Sequence, residues 1–119
     1  MNSREMYKIV EQYMEAFAKS DINLIRAIYA DDAILEDPVG SPPRHGIEQI
    51  LEFYKPALAS GMKLELNGQP RCAGNSVAFT FTGTLPGMRI SPIDVFEFNA
   101  AGKVQHMRAY WGRENVEKV

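Results

Sequence analysis

The sequence predicts an α+β fold, with three N-terminal helices packed on one face of a curved, antiparallel or mixed β-sheet. In the first half of the chain, apolar residues recur every three or four positions, as on one face of a helix. In the second half they alternate, as on one face of a strand. Helices followed by a run of strands are typical of α+β proteins. A bent sheet under helices leaves a concave pocket between the two layers.

Each of the three predicted helices has one apolar stripe. The first begins at the capping sequence Asn2–Glu5, and its stripe contains Met6, Ile9, Val10, Tyr13 and Phe17. Asp21 caps the second helix, which is predicted to end near Asp31 and whose stripe contains Leu24, Ile25, Ile28 and Tyr29. The third follows Gly46, and its stripe contains Ile47, Ile50, Leu51 and Tyr54. One tyrosine is therefore expected on the apolar face of each helix.

The predicted strands follow from alternation and from turn residues. Residues 33–37 form a short strand that ends in a loop rich in proline and glycine. Residues 62–66 form the next strand, and 71–73 pair with 77–84 across Gly74 and Asn75. Residues 88–98 are predicted as one strand, in which Pro92 indicates an edge or a bulge. The last long strand spans residues 104–111.

Composition excludes several classes of function. The 119 residues suit one domain, residues 1–119, and the net charge of −2 gives no sign of a nucleic-acid or membrane partner. Cys72 is the only cysteine, which fits a reducing compartment. The polar N-terminus and the lack of a long apolar run predict a cytoplasmic protein without signal peptide or membrane span. No phosphate-binding loop or zinc-type spacing is present, so neither cofactor nor metal is expected.

Two carboxyl groups stand out as candidate functional groups. Asp94 lies in a strand whose alternation places it on the same face as Phe96 and Phe98. A carboxyl in such surroundings must be paired, protonated or exposed. The residues alone leave open an edge-strand Asp94 facing water or a pairing with Arg89 or Arg108. Asp37 precedes Pro38, and the residues alone favour a turn residue at this position.

The segment YADDAILEDPVGSPPRHGIEQILEFY, residues 29–54, closely resembles the corresponding segment of bacterial Δ5-3-ketosteroid isomerases. The resemblance continues through PIDVFEF and GKVQHMRAYWG and is least clear over residues 62–90. It implies a cone-shaped α+β fold shared with nuclear transport factor 2-like proteins. It also implies a steroid substrate and a homodimer.

The resemblance assigns roles to five positions. It implies that Asp37 is the general base, that Tyr13 and a protonated Asp94 form the oxyanion hole, and that Tyr29 and Tyr54 hydrogen-bond behind Tyr13. Ketosteroid isomerases are the established example of a carboxylic acid kept neutral by an apolar site. The expected substrate-binding side chains are Phe17, Phe53, Phe79, Phe81, Met107 and Trp111.

The implied reaction is the conversion of 3-oxo-Δ5-steroids into 3-oxo-Δ4-steroids without a cofactor. The same fold hosts unrelated functions, so other interpretations stay open at this point. They are a polyketide cyclase-like enzyme, an epoxide hydrolase, a non-catalytic protein that binds a hydrophobic ligand, and a dimerising interaction module. A hydrolase of this type is expected to need an Asp-Arg-Asp cluster, and no arginine occupies the matching position.

Overall fold

The computed structural model describes residues 1–119. Its helices and strands, in chain order, are α1 (Ser3–Lys19), α2 (Ile22–Ile28), β1 (Tyr29–Glu36), β2 (Arg44–His45), α3 (Ile47–Ala59), β3 (Lys63–Leu66), β4 (Arg71–Ala73), β5 (Ser76–Leu85), β6 (Met88–Ile90), β7 (Ile93–Phe98), β8 (Val104–Tyr110) and β9 (Val116–Lys118). A short 3-10 turn, Arg113–Asn115, precedes β9. None of the helices is long and apolar enough to cross a membrane.

The first two helices start where side-chain capping satisfies their free amides. The amide of Glu5 donates to Asn2 Oδ1 at 2.9 Å, and the amide of Asn2 donates to Glu5 Oε1 at 2.8 Å, which completes a capping box. Asp21 Oδ1 accepts the amide of Asn23 at 2.9 Å at the start of α2. Both starts match the sequence prediction.

The sheet is mixed, and its strand order is β2-β1-β8-β7-β5-β6-β9. Only β1 and β8 run parallel, and the other neighbouring strands are antiparallel. The ten-residue β5 joins two parts of the sheet, because its first half pairs with β4 and β7 and its second half pairs with β3 and β6. The curved sheet and the three helices confirm the predicted α+β fold.

The core lies between the helices and the inner face of the sheet. Alternate residues of β5 and β7 are buried there, including Val77, Phe79, Phe81, Phe96 and Phe98. They pack with the stripes of α1 and α3 in one cluster. Within this apolar layer, Asp94 is the one buried residue with a carboxyl group.

The predicted boundaries are wrong at two places. Helix α2 ends at Ile28, so Tyr29 begins β1 instead of lying on a helix. The reason is tertiary, since β1 pairs with β8 from Tyr29 onward, beside Val104. The single strand predicted over residues 88–98 is divided at Ser91 and Pro92, where proline has no amide to donate to a neighbouring strand.

Two strands were not predicted. The two-residue β2, Arg44–His45, lies where a loop or a helix start was expected, and it pairs with Ile34 and Leu35 of β1. β9 pairs with β6 at the other edge of the sheet. Both strands are too short to show alternation, so a residue pattern cannot identify them.

Candidate active site

A cavity of about 170 Å³ lies between the helices and the inner face of the sheet. Ten of the thirteen residues that line it are hydrophobic, and the lining consists of Tyr13, Phe17, Asp37, Phe53, Tyr54, Ala57, Met62, Leu64, Phe81, Ile90, Pro92, Asp94 and Trp111. A concave apolar pocket with a few polar groups is the usual form of a small-molecule site.

Asp94 lies in β7, between Phe79 of β5 and Ala109 of β8, and only 1% of it is exposed. Neither of its carboxyl oxygens has a hydrogen-bond partner within the protein. Arg89 is paired with Glu117.

Arg108 is paired with Glu97. Asp94 is therefore neither exposed nor paired with an arginine, and both open alternatives are wrong. Burial raises the pKa of Asp94 well above its usual range, and the negative charge of Asp37 adds to the rise, while the Tyr13 hydroxyl opposes it. In its neutral form this carboxylic acid would have an O–H group to donate into the cavity.

Three tyrosine hydroxyls form a chain that ends at the cavity. Tyr54 Oη donates to Tyr13 Oη at 3.4 Å, and the hydroxyls of Tyr29 and Tyr54 are 2.6 Å apart. Each hydroxyl has one proton, so Tyr29 donates to Tyr54 and the proton of Tyr13 has no acceptor in the chain. Burial raises the pKa of all three tyrosines well above the usual value, which keeps them protonated as donors.

The ring of Tyr13 is held in place by aromatic neighbours. Its centroid lies 5.3 Å from that of Phe96, 5.4 Å from Phe17, and 5.9 Å from both Tyr54 and Phe79. The contacts with Phe96, Tyr54 and Phe79 are edge-to-face, an arrangement that stabilises aromatic pairs. The hydroxyl therefore has a defined position beside the cavity.

Asp37 follows the last residue of β1 and is half-buried. The indole Nε1–H of Trp111 donates to Asp37 Oδ1 at 2.7 Å. The guanidinium of Arg44 lies 5.2 Å above the ring of Phe53, another residue of the cavity wall. Burial raises the pKa of Asp37, whereas the Trp111 hydrogen bond and the Arg44 charge both oppose the rise. Asp37 thus faces the cavity with two groups that favour its ionised form.

Of the six predicted substrate-binding side chains, four line the cavity: Phe17, Phe53, Phe81 and Trp111. Phe79 and Met107 do not line it. Both residues are on the inner face of the sheet, but Phe79 lies beneath the ring of Tyr13, and Met107 lies opposite Phe96 in the closed core. The alternation of residues along a strand identifies which side chains lie on the inner face of the sheet. It does not identify which part of that face the helices cover.

The sequence interpretation missed several residues of the site. Arg44 was not assigned any role, and the hydrogen bond from Trp111 to Asp37 was not predicted. A buried indole usually finds an acceptor for its N–H, so the residue type alone indicates that Trp111 has a hydrogen-bond partner. Four apolar wall residues were also missed: Ala57, Met62, Leu64 and Ile90.

The arrangement places one phenol, Tyr13, and two carboxyl groups, Asp94 and Asp37, in an apolar cavity. Preorganised donors of this kind stabilise a developing oxyanion. A carboxylate beside them can take a proton from a neighbouring carbon and return it.

Comparison with known proteins identifies the family of this chain. The SnoaL-like domain family matches residues 10–107. A protein of Nocardioides simplex named Steroid Delta-isomerase is 37% identical over 113 residues, which cover 92% of this chain and 91% of the relative.

Among solved structures, the epoxide hydrolase/cyclase-like enzyme SalBIII, which acts in pyran ring formation in the polyether salinomycin, superposes with a TM-score of 0.91. It is 23% identical and the match covers 99% of this chain and 98% of SalBIII, so this likeness concerns the fold. The resemblance to ketosteroid isomerases found in the sequence is confirmed, and the chain belongs to the SnoaL-like family, within the nuclear transport factor 2-like fold.

Proposed function

We propose that this protein is a steroid Δ-isomerase that converts 3-oxo-Δ5-steroids into 3-oxo-Δ4-steroids by intramolecular proton transfer. The observation that carries the proposal is Asp94, whose two carboxyl oxygens are buried without a partner. Leaving a buried polar group unpaired is costly, so such a group is explained best by a ligand atom that completes it. An acceptor oxygen placed between Asp94 and Tyr13 would do so.

In the first step, the 3-oxo oxygen of the substrate accepts hydrogen bonds from Tyr13 and from neutral Asp94. Ionised Asp37 removes a proton from the carbon between the carbonyl group and the double bond. The electron pair of the broken C–H bond moves into the conjugated system, and negative charge develops on the oxygen. The hydrogen bonds from the two donors become stronger as that charge grows, so they stabilise the transition state more than the ground state.

In the second step, the protonated Asp37 returns the proton to the far end of the dienolate. The double bond is then conjugated with the carbonyl, and Asp37 is ionised again. One carboxyl group acts as base and then as acid, so protons and electrons balance without a further reactant.

The walls of the cavity support an apolar, flat substrate. Phe17, Phe53, Phe81 and Trp111 are aromatic, and the remaining wall is aliphatic apart from the groups already assigned. Burial of apolar rings contributes about 25 cal/mol per Å² of area removed from water, which makes ring contacts the main source of affinity.

Other reactions of this fold receive less support from the site. An epoxide hydrolase with an Asp-Arg-Asp cluster needs an arginine at the reacting centre, and no arginine lines the cavity. The likeness to SalBIII lies in the fold, which hosts many chemistries. A cyclase would share the enolate and the general base, so a substrate assay must separate the two.

We also propose that two copies of the chain associate through the outer face of the sheet. Ile93 and Tyr110 are directly paired on β7 and β8 and are 44% and 48% exposed. Val39, 42% exposed, lies beside them, since its amide donates to Ala109 O at 2.9 Å. Adjacent exposed apolar side chains of this kind mark interaction surfaces.

Light scattering after size exclusion tests the dimer. The wild type is expected to have twice the chain mass, and Ile93→Lys should dissociate it, because a charge would be buried in an apolar interface. Ala27→Lys on α2 is the matched control and should remain dimeric. A wild type that is monomeric at every concentration would rule out this interface.

The proposed reaction is tested by adding the purified protein to 5-androstene-3,17-dione and following the ultraviolet absorbance of the conjugated enone. Turnover is expected. Binding of the steroid without turnover, measured by calorimetry, would favour a hydrophobic-ligand-binding protein. If the protein neither converts nor binds the steroid, cyclase substrates should be tested next.

A further inference from the structure

The cavity that contains Tyr13, Asp37 and Asp94 is small for a steroid. Its volume is about 170 Å³. An apolar cavity of about 150 Å³ holds one benzene molecule, and pockets for drug-sized ligands measure roughly 300–1,000 Å³. Four fused rings therefore do not fit within this cavity alone, and the rest of a steroid must lie outside its mouth or in an adjoining part of the molecule.

A second cavity of about 350 Å³ adjoins the first. Three residues, Phe17, Met62 and Leu64, line both cavities and therefore separate them. The other residues of the second cavity lie at the end of α1, in the turn before β3 and at the first position of β3: Ala18, Ser20, Gly61 and Lys63. These residues place the second cavity between α1 and β3.

Two of the three separating residues are fixed. Phe17 is buried on α1, and its ring packs against those of Tyr13 and Tyr54 at 5.4 and 6.3 Å. Leu64 belongs to β3 and is held in register opposite Gly83 of β5. Neither side chain can leave its place without disturbing the core.

Met62 differs from these two residues. It lies in the turn between α3 and β3, after Gly61 with a φ of +76°, and it is half-buried. An unbranched methionine side chain has three rotatable bonds and adapts to irregular space. Its sulfur packs against Gly83, where an added Cβ would lie only 2.8 Å from it. Met62 is thus a flexible side chain seated over a glycine between two cavities.

We propose that Met62 is a movable partition, and that its displacement joins the two cavities into one site for steroids with an alkyl chain. The chain would be attached to the ring farthest from the ketone and would occupy the second cavity. This inference rests on the proposed isomerase function and specifies its substrate class. Exposed Lys63 lies at the rim of the second cavity, so the chain passes from apolar walls toward water.

The test compares two substrates that differ at the far ring, 5-androstene-3,17-dione and cholest-5-en-3-one. Both kcat and KM are measured for the wild type and for Ala18→Phe, which fills the second cavity from a residue that does not line the first. The ratio of the cholestenone KM to the androstenedione KM is expected to rise at least tenfold in Ala18→Phe. Met62→Ala, which removes the partition, should lower that ratio.

Ala27→Phe is the matched control, because Ala27 is an exposed helix alanine that lines neither cavity. Its KM ratio should equal that of the wild type. A ratio within twofold of the wild type in both Ala18→Phe and Met62→Ala would overturn the inference and leave the isomerase function intact. Wild-type turnover of androstenedione but not of cholestenone would also overturn it. Turnover of neither steroid would overturn the isomerase function, and the inference with it.

Discussion

Asp37 and Asp94 line the same cavity, but their surroundings differ. Asp94 lies inside β7 with a strand on each side, and no hydrogen-bond partner reaches either carboxyl oxygen. Asp37 follows the end of β1, where the indole N–H of the residue after β8 and a cation from β2 can approach it. The difference shows how position along a strand determines which partners a side chain can have.

The two environments have different effects on the pKa values of two chemically identical carboxyl groups. Burial raises the pKa of both, but the charge of Asp37 adds to the rise at Asp94, whereas Trp111 and Arg44 oppose it at Asp37. Two carboxyl groups whose pKa values are driven apart can act as a neutral hydrogen-bond donor and an ionised base in one reaction.

The largest effect is expected from Asp37→Asn, which removes the base and leaves Asp94 in place. Turnover should fall toward the upper end of the roughly 10²- to 10⁴-fold range of general acid–base catalysis, with little change in steroid affinity. Steady-state assays and calorimetry measure the two quantities separately. Turnover similar to that of the wild type would exclude Asp37 as the base.

Tyr13→Phe tests the second proposed oxyanion donor, which acts together with Asp94. Loss of one oxyanion donor lowers turnover by about 10²- to 10³-fold. Tyr29→Phe is the comparison, because it breaks the hydroxyl chain at its far end and leaves the Tyr13 proton free to donate. A loss below tenfold is expected there. Equal losses in the two variants would mean that the chain stabilises the fold and that Tyr13 does not act on the substrate.

Trp111→Phe makes the environment of Asp37 more like that of Asp94. The indole hydrogen bond favours the ionised carboxyl, so its removal raises the pKa of Asp37. The base must be ionised in the free enzyme, so the acid limb of kcat/KM is expected to move to higher pH.

Arg44→Gln is the comparison for Trp111→Phe. It should shift the acid limb in the same direction by a smaller amount, since Arg44 is exposed and salt screens its charge. An acid limb that stays in place in Trp111→Phe, or moves to lower pH, would contradict the role given to the indole.

The burial of Asp94 could be predicted from the sequence because it depends on local alternation. Asp94, Phe96 and Phe98 occupy every second position, and all three are buried on one face. The lack of a partner could not be predicted, since it depends on where Arg89 and Arg108 point after folding. Parity identifies the face of a strand, but only the assembled fold determines what reaches that face.

The surroundings of Asp37 were less predictable for the same reason. Its partner Trp111 is 74 residues away, and Arg44 belongs to a two-residue strand that has no pattern of its own. Tyr29 shows a related limit. Its spacing fits a helix, but pairing with β8 places it in β1, from which its hydroxyl still reaches Tyr54. Long-range pairing overrides local propensity at such boundaries.

The smallest expected effect is on stability, from Asp94→Asn. Folded Asp94 has a raised pKa, so between the unfolded pKa of about 3.9 and the folded pKa the native state binds more protons than the unfolded state. The free energy of unfolding therefore falls as pH rises through this window. The amide that replaces the Asp94 carboxyl in the variant does not titrate, so the variant does not lose this stability. Asp94→Asn should raise the free energy of unfolding at pH 8 by at least about 1 kcal/mol relative to its effect at pH 4.

Urea unfolding at the two pH values measures this difference. Glu97→Gln, a half-buried position on the same strand, is the control for removing a carboxylate and should show no gain at pH 8, because Glu97 is paired with Arg108. An equal effect of Asp94→Asn at both pH values would mean that Asp94 is ionised in the folded protein. The contrast between the two carboxyl groups would then lie in position alone, and the neutral oxyanion donor would have to be Tyr13 by itself.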